Sequence, residues 1–440
     1  MSLFAPKSLF QSTRPISASF RTALQVLTLG FAGAACAQGT VSLGGTLNDD
    51  VRTYSDFGVH RYGSKGEQSA LAWMGRELAA AGFTVEKQAL QMGRQLTLNE
   101  AHITLGGKTS EAFPHWWPPE QQMQLKLEAA LKAPNESTGA FAWLRLPYER
   151  GAYLNAQHTQ KILEVAAHKP LAILLTIDNP AGSIFTYNVN QEDAPWPVPV
   201  IVVPARLAAQ LEAAQQSGEK MNIDMSMQYQ RDVSSYNVIG RIDNGAARTV
   251  VVSTPVSSWF TSSCERGPGI ALFLALARHV AKEKRATNFV FVGTVGHEIG
   301  HGGMESFIHA KAPAPDKVKA WLHLGASLAC YGWTHDAATS QWRMRAEADP
   351  SLRVLLASES LQNQAVTAFK GVAATPLFAE KSGIGELRDV RAAGYVNYFG
   401  MAGLHRFFHT PDDRAELTGP ELLEPLANAF TKMLDELTVN

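Results

Sequence analysis

The residues best suited to chemistry lie in one short turn, where His297, Glu298 and His301 follow one another within five positions. Imidazole and carboxylate groups are the side chains that bind divalent metals and transfer protons in proteins. An apolar, β-branched run, Asn288–Val295, comes directly before this turn and predicts a buried strand. Because open α/β sheets hold their ligands at the carboxyl ends of strands, the sequence predicts that this turn is the centre of the functional site.

Composition limits the classes of protein and of partner. The chain has 440 residues, 45% of them hydrophobic and 18% charged, with a formal net charge of −1. This length and composition predict a globular protein of about two domains. The near-neutral charge gives no electrostatic basis for binding nucleic acid or an anionic membrane, so we expect a peptide or small-molecule substrate as the partner.

The first 37 residues have the pattern of a signal peptide. Lys7, Arg14 and Arg21 precede an apolar run over 23–35, and small residues suited to a signal peptidase end at Ala37. We therefore expect cleavage after Ala37, a periplasmic or secreted protein, and no membrane attachment after cleavage. Lipidation at the preceding cysteine is the alternative.

The mature chain alternates between strand and helix patterns. A strand at Arg248–Ser253, a helix over 269–282 and the strand before the central turn form a βαβ unit. This pattern predicts an α/β domain over 38–105 and 233–440, in which a mixed, mostly parallel sheet is sandwiched by helices. The segment 106–232 is richer in proline and tryptophan and has short strands of its own, so we expect an inserted α+β domain there.

The order of four motifs resembles the zinc aminopeptidase family, which includes bacterial leucyl aminopeptidase, aminopeptidase Y and glutaminyl cyclase. The motifs are NVIGRI at 237–242, VVVS at 250–253, FVFVGTVGHEIG at 289–300 and FHTPDD at 408–413. The resemblance covers nearly the whole mature chain. It implies the zinc-aminopeptidase fold, a protease-associated insertion at 106–232, a zinc cofactor and hydrolysis of peptide or amide bonds.

Within that resemblance, several metal-ligand positions hold other residues. The first histidine-and-aspartate pair falls on 255–257 and a later aspartate on Gly325. The bridging aspartate falls on Glu265, a zinc-binding glutamate on Glu298, and the last histidine is kept as His409. The resemblance therefore implies one zinc ion, held by these three residues, with a bound water as the nucleophile.

Three further residues receive roles from the same resemblance and from their chemistry. His297 falls at the position of the general base and is expected to act beside the bound water. Arg266, next to Glu265, is expected to compete for that carboxylate or to hold a substrate carboxylate. Glu386 falls near a substrate-facing acid and is expected to contact a substrate amine.

A different reading of the central turn assigns its residues other roles. Residues 297–301 match His-Glu-x-x-His, in which two histidines bind zinc from one face of a helix and the glutamate is the base. In that alternative His301 joins the metal ligands and Glu298 is catalytic. The glycines at 296, 300, 302 and 303 disfavour the required helix.

Two metal-free alternatives remain open at the level of sequence. In the first, the histidines and glutamates form a hydrogen-bonded network, and the protein is a catalytically inactive relative that binds a ligand or peptide in the periplasm. In the second, Cys264 is the nucleophile of a hydrolase, with His297 or His409 as its base. An exported protein also allows Cys264 to pair with Cys330, whereas two buried thiols are the other possibility.

Overall fold

The strand before the central turn forms as expected and lies inside a large sheet. The computed structural model describes residues 42–378 and 384–438, so the signal peptide over 1–37 lies outside the described residues. The strands are β1 (Thr84–Leu105), β2 (Lys108–Glu111), β3 (Phe113–Pro114), β4 (Gln124–Lys132), β5 (Phe141–Pro147), β6 (Ala172–Asp178), β7 (Val200–Val202), β8 (Lys220–Ile242), β9 (Thr249–Pro255), β10 (Asn288–Thr294), β11 (Val318–Leu324), β12 (Trp333–Asp336), β13 (Gln341–Met344), β14 (Arg353–Ala357), β15 (Thr375–Phe378) and β16 (Tyr398–Gly403).

Helices cover both faces of this sheet. Successive residues of β9 point to opposite faces, so Val250 and Val252 join one apolar cluster and Val251 joins the other. None of the helices described here has the length and hydropathy needed to cross a bilayer. The helices are α1 (Leu43–Asp56), α2 (Lys65–Ala80), α3 (Ala156–Ala167), α4 (Ala208–Ser217), α5 (Ser263–Val280), α6 (Gly302–Ala310), α7 (Gln362–Ala368), α8 (Leu387–Ala392) and α9 (Pro420–Thr438).

The order of strands places the carboxyl ends of β9, β10 and β11 side by side. The main sheet runs β15-β14-β16-β11-β9-β10-β8-β4-β5-β6-β7-β3, with β1 paired to β8. Strand β9 is parallel to both β10 and β11, while β8 closes β10 on its other side in the antiparallel sense. The predicted α/β class, with a mixed and mostly parallel sheet between helices, is confirmed.

One long strand connects the two regions that the sequence distinguishes. The last residues of β8, 238–242, pair with β10, and its first residues, 220–226, pair with β4. Strand β1 runs antiparallel along almost the whole of β8. The sheet is therefore continuous from the central strands into the region 106–232, and the division of the chain into a main and an inserted domain stays a prediction.

Helix α5 begins six residues earlier than the sequence pattern predicts, at Ser263 instead of Gly269. The segment 263–268 looks like a loop in sequence because it contains Gly267 and Pro268, whereas in the structure it forms the first turns of the helix. The carboxylate of Asp413 stabilises this turn by accepting the backbone N–H groups of residues 264 and 265 at 2.8 and 2.9 Å. Glu265 and Arg266 therefore project from a helix.

A disulfide bond joins Cys264, at the start of α5, to Cys330, in the loop after β11. The possibility of two free thiols is therefore wrong. The hydrolase that uses Cys264 as its nucleophile is contradicted for the same reason, because a disulfide sulfur is not a thiolate. The bond instead fixes the start of the helix that carries two of the predicted site residues.

Candidate functional site

The central turn between β10 and α6 is irregular. Residues His297–Ile299 form a single turn of 3₁₀ helix, with Gly296 and Gly300 in left-handed conformations at φ 75° and 106°. His301 is also left-handed, at φ 58°, and α6 begins only after it. These residues do not form the regular helix that the His-Glu-x-x-His alternative requires, so that alternative is not supported by the backbone.

The two histidines of the turn are nevertheless neighbours. The rings of His297 and His301 stack with their centroids 4.4 Å apart. Two carboxylates from the region of α8 fix the rings: Glu386 Oε1 lies 3.2 Å from Nδ1 of His297, and Asp389 Oδ2 lies 2.6 Å from Nδ1 of His301. The second nitrogen of His301, Nε2, is buried without a hydrogen-bond partner in the described part of the chain.

The pair formed by His297 and Glu386 is buried and electrically unusual. Burial raises the pKa of Glu386 to about 7, although His301 and a hydrogen bond from Thr294 oppose the rise. Burial and the nearby positive charge of Arg266 hold the pKa of His297 well below its ordinary value. His297 is therefore a neutral imidazole at neutral pH, while Glu386 exchanges its proton in the same range.

Arg266 occupies the middle of the site. Its side chain is 1% exposed, and Nη2 lies 2.6 Å from Oε1 of Glu298 and 3.1 Å from Oε1 of Glu265. Its Nε donates to the backbone oxygen of Ser257 at 2.9 Å, which fixes the plane of the guanidinium. The third nitrogen, Nη1, is buried and has no hydrogen-bond partner among the described residues.

Glu265 is fully buried yet ionised. Burial opposes its ionisation, but Arg266 and His409 outweigh burial and hold the pKa of Glu265 at about 2. Nε2 of His409 lies 3.5 Å from Oε1 of Glu265, and Nδ1 of His409 faces the backbone oxygen of Thr186 at 2.9 Å. Neither oxygen of Glu265 has a well-directed hydrogen bond within the described residues, and Arg266 and His409 are the groups that stabilise its charge.

Ser257, on the loop after β9, positions Glu298. Its hydroxyl donates to Oε2 of Glu298 at 2.8 Å and accepts the backbone N–H groups of Gly296 and His297 at 2.8 and 3.1 Å. One hydroxyl thus fixes both the turn and the carboxylate. The serine was visible in the sequence, but this role depends on two loops that meet only in the fold.

The predicted zinc ligands do not fit a zinc ion in this arrangement. Glu265 and His409 have the spacing of two ligands on one metal, but Glu265 and Glu298 both contact Nη2 of Arg266, whose positive charge lies where the metal would be. A cation cannot be added between two carboxylates that already share a buried guanidinium. Among the described residues, the only cluster of three or more potential ligands within 4.8 Å of one another is Cys264, Cys330 and His405, in which both cysteines are disulfide-bonded.

A cavity of about 270 Å³ opens next to this network. Its polar wall contains Arg266, His297 and His323, and its apolar wall includes Pro255, Ala326, Val354, Ile384, Ala402 and Phe408. Such a mixture, mostly apolar with a few converging polar groups, is the usual composition of a small-molecule site. Pro255 and Gly325, which replace expected metal ligands, both lie in its wall.

The structure adds three site residues that sequence reasoning missed. His323, at the end of β11, accepts or donates a hydrogen bond with Ser253 at 2.9 Å, and burial together with Arg266 lowers its pKa to about 3. Asp389 holds His301, and Asp413 caps α5. The signal for His323 was present, because it lies at the end of the buried strand that follows the central one along the chain; the other two depend on tertiary contacts.

Comparisons by sequence identify no relative: no family model and no curated protein matches the chain. Comparisons by structure do. A zinc aminopeptidase from Bacillus subtilis matches with a TM-score of 0.66 at 14% identity, over 90% of this chain and 96% of that one. A peptidase M28 precursor from Shewanella amazonensis gives 0.68 at 15% identity (90% and 93% covered), and an aminopeptidase from Aneurinibacillus gives 0.60 at 14% (90% and 94%).

At 14–15% identity the structural likeness establishes the fold only, and the chemistry depends on the residues of the site. The matches cover nearly all of both chains, so the resemblance inferred from the four sequence motifs is confirmed as a structural one. The chain therefore has the fold of the zinc aminopeptidases, with a guanidinium between two of the carboxylates at its centre.

Proposed function

We propose that this protein binds a small amide or a short peptide in the 270 Å³ cavity and does so without a catalytic metal. The observation that carries the proposal is the position of Arg266, within 3.1 Å of Glu265 and 2.6 Å of Glu298. A guanidinium supplies positive charge to these carboxylates permanently, because it does not lose its proton at physiological pH. The two carboxylates therefore have a counter-ion without a zinc ion.

The free donor of Arg266 indicates what the ligand offers. Nη1 is buried without a partner and belongs to a side chain that lines the cavity. The positive charge of Arg266 is already balanced by two carboxylates, so an additional anion gains little there. A neutral carbonyl oxygen satisfies the donor at no such cost. The apolar wall around Ile384 and Phe408 then suits an aliphatic side chain next to that carbonyl.

Hydrolysis is the second candidate, and one observation favours it. His297, which lines the same cavity, is a neutral imidazole whose Nδ1 faces Glu386 at 3.2 Å. A neutral imidazole held by a carboxyl group is able to accept a proton from water, and Arg266 would polarise the carbonyl that the water attacks. The structural neighbours are peptidases, which agrees with a hydrolase of this kind. The single-zinc hydrolase inferred from the sequence stays a third prediction, which the position of Arg266 disfavours.

Calorimetric titration with leucinamide and the dipeptide Leu-Gly tests the binding proposal. We expect saturable binding to the parent protein and a loss of about tenfold or more in affinity for Ala402→Phe, which fills the cavity. Ala338→Phe is the matched control, because Ala338 is exposed in the turn after β12. Equal binding by both variants would show that the ligand lies elsewhere.

The same samples separate binding from catalysis. Incubation of the parent with both probes, followed by chromatography of the products, is expected to show no turnover above buffer if binding is the whole function. Turnover that persists in the presence of a chelator and disappears in His297→Ala would replace the binding proposal with the metal-free hydrolase. Turnover that the chelator abolishes would restore the single-zinc hydrolase.

Export from the cytoplasm is part of the same proposal. The bond between Cys264 and Cys330 supports it, because structural disulfides persist mainly in oxidising compartments. Mass spectrometry of the protein recovered from a periplasmic fraction should give a mature chain that begins after Ala37. An intact N-terminus in the cytoplasmic fraction would contradict it.

A further inference from the structure

A second cavity, of about 230 Å³, adjoins the first and is lined by the three arginines Arg150, Arg353 and Arg406. Arg150, Leu352 and Leu404 belong to the walls of both cavities. The two spaces are therefore neighbours on either side of these shared side chains. A ligand that extends from the first cavity past these side chains would enter the second.

The balance of charge in this second cavity is positive. Asp349 is the only acidic side chain in its wall among the residues that the structure describes, and its carboxylate is already paired with Arg345 at 3.2 Å. The wall thus carries three guanidinium groups and one carboxylate, and that carboxylate, although it also attracts Arg150 and Arg353, leaves an excess of positive charge. Such a concentration of one sign inside a cleft attracts the opposite charge.

Arg353 is a buried arginine with one donor left over. It is 6% exposed, and its two terminal nitrogens donate to the backbone oxygens of Leu328 and Ala373. Its Nε is buried and has no hydrogen-bond partner in the described part of the chain. Two carbonyl contacts hold the guanidinium rigidly, and none of them neutralises its charge, so an anionic acceptor would stabilise it.

Arg406 is held in place by aromatic rings. Its guanidinium carbon lies 4.7 Å from the ring centroids of both Trp333 and Trp342 and 5.0 Å from that of Phe407. Its Nε donates to the backbone oxygen of Pro180 at 3.0 Å. The rings hold the guanidinium, and no carboxylate of the described residues pairs with it, as in sites that recognise carboxylates or phosphates.

His405 adds a further polar group to the same wall. Its Nδ1 contacts the hydroxyl of Ser327 at 3.0 Å, while its Nε2 is buried without a hydrogen-bond partner among the described residues and lies 3.5 Å from Asp413. This imidazole is therefore oriented by contacts on both sides. It gives the cavity a further polar surface beside the three arginines.

We propose that this arginine cavity, defined by Arg150, Arg353 and Arg406, binds an anionic group, either a carboxylate or a phosphate. Its volume, about 230 Å³, is sufficient for such a group. This proposal extends the function proposed above and rests on it in one respect, namely that a single ligand occupies both cavities. That ligand carries a carbonyl and an apolar part in the first cavity, and an acidic terminus in the arginine cavity.

The experiment is calorimetric titration of the purified mature protein with succinate and with inorganic phosphate, at constant ionic strength. We expect saturable binding of at least one of the two anions, weakened about tenfold or more in Arg150→Gln and in Arg406→Gln. Arg231→Gln is the matched control, because Arg231 is an exposed arginine of β8 paired with Glu120, and it should bind like the parent. A preference for one anion assigns the charged group and supports the proposal.

Two results would overturn it. One is the absence of saturable binding of either anion to the parent, and the other is equal binding by the parent and both cavity variants. The Ala402→Phe variant, which fills the first cavity, should keep its affinity for succinate and phosphate. Failure of the arginine cavity is thereby distinguishable from failure of the binding function proposed for the cavity at Arg266.

Discussion

The guanidinium of Arg266 lies between two buried carboxylates, 3.1 Å from Glu265 and 2.6 Å from Glu298. All three side chains come from the ends of elements that meet at one edge of the sheet, the start of α5 and the turn after β10. Arg266, the residue after Glu265, thus supplies the positive charge that the two carboxylates need. Loss of this shared positive charge should therefore change the free energy of unfolding by a measurable amount.

Removing the charge of Arg266 should destabilise the protein strongly. Arg266→Met leaves two buried carboxylates without the cation that they share, and breaking a buried ion pair in this way costs about 3–5 kcal/mol of unfolding free energy. Chemical denaturation followed by fluorescence measures the change. For comparison, Arg145→Met removes the exposed pair with Asp178 and should cost no more than about 1 kcal/mol.

The triple variant Arg266→Met, Glu265→Gln, Glu298→Gln examines the cause of that loss. If uncompensated negative charge is responsible, neutralising both carboxylates should recover most of the stability lost in the single variant. A triple variant as unstable as Arg266→Met would show instead that packing of the arginine side chain is what matters.

Acid should weaken the same network through Glu265. Its pKa in the folded protein is about 2, against an ordinary value of 4.5, so the folded state favours the ionised form. The stabilisation is fully present above about pH 4.5 and is lost as the pH falls towards 2, by up to about 3 kcal/mol. In Glu265→Gln, unfolding free energy should depend less on pH between these limits. An unchanged acid dependence would contradict the assignment.

Glu67 should produce the opposite dependence. This carboxyl group is 0% exposed, and burial raises its pKa to about 8 despite hydrogen bonds from Ser235 and the backbone of Gly63. Because its pKa is raised, the contribution of Glu67 to stability is fully present below about pH 4.5 and is lost as the pH rises through 8. Glu67→Gln keeps the acceptor oxygen without the charge. Between pH 5 and pH 9 its free energy of unfolding should therefore fall by about 3–5 kcal/mol less than that of the parent.

The disulfide should contribute several kilocalories per mole. It closes a loop between residues 66 positions apart, for which the loss of chain entropy in the unfolded state corresponds to about 4 kcal/mol. The double variant Cys264→Ala, Cys330→Ala is expected to unfold at correspondingly lower denaturant concentration. Reducing the parent protein should have the same effect, and reduction should leave the double variant unchanged.

The fold was predictable because periodic patterns and motif order both indicate it. The strand at Asn288–Thr294 was predicted to within one residue, and the residues placed at the site do come together: Arg266 contacts Glu265 and Glu298, and His297 contacts Glu386. His297 and Glu298 follow the central strand, and the sequence pattern predicted both that strand and the position of its carboxyl end at the edge of the sheet.

What the sequence did not reveal depends on contacts between distant segments. The start of α5 was placed at Gly269 because nothing local shows that Asp413 caps the turn before it. That one turn decides the chemistry, since it directs Arg266 inward, between the carboxylates. Competition of the arginine for Glu265 was expected from sequence, whereas its contact with Glu298, on another loop, was not.

Removing the side chain of Arg266 should therefore allow this chain to bind zinc. In Arg266→Ala the carboxylates of Glu265 and Glu298 lose their cation, while Nε2 of His409 has no other hydrogen-bond partner among the described residues. Two carboxylates and an imidazole are a suitable set for zinc, and a metal that binds only the folded state raises its stability. We expect about one equivalent of zinc in elemental analysis of Arg266→Ala, with a zinc-dependent rise in melting temperature, and none in the parent.

The double variant Arg266→Ala, His409→Ala should lose both effects. One equivalent of zinc in the parent, lost in His409→Ala, would instead mean that Arg266 moves aside for the metal, and it would restore the single-zinc hydrolase as the best account of this site.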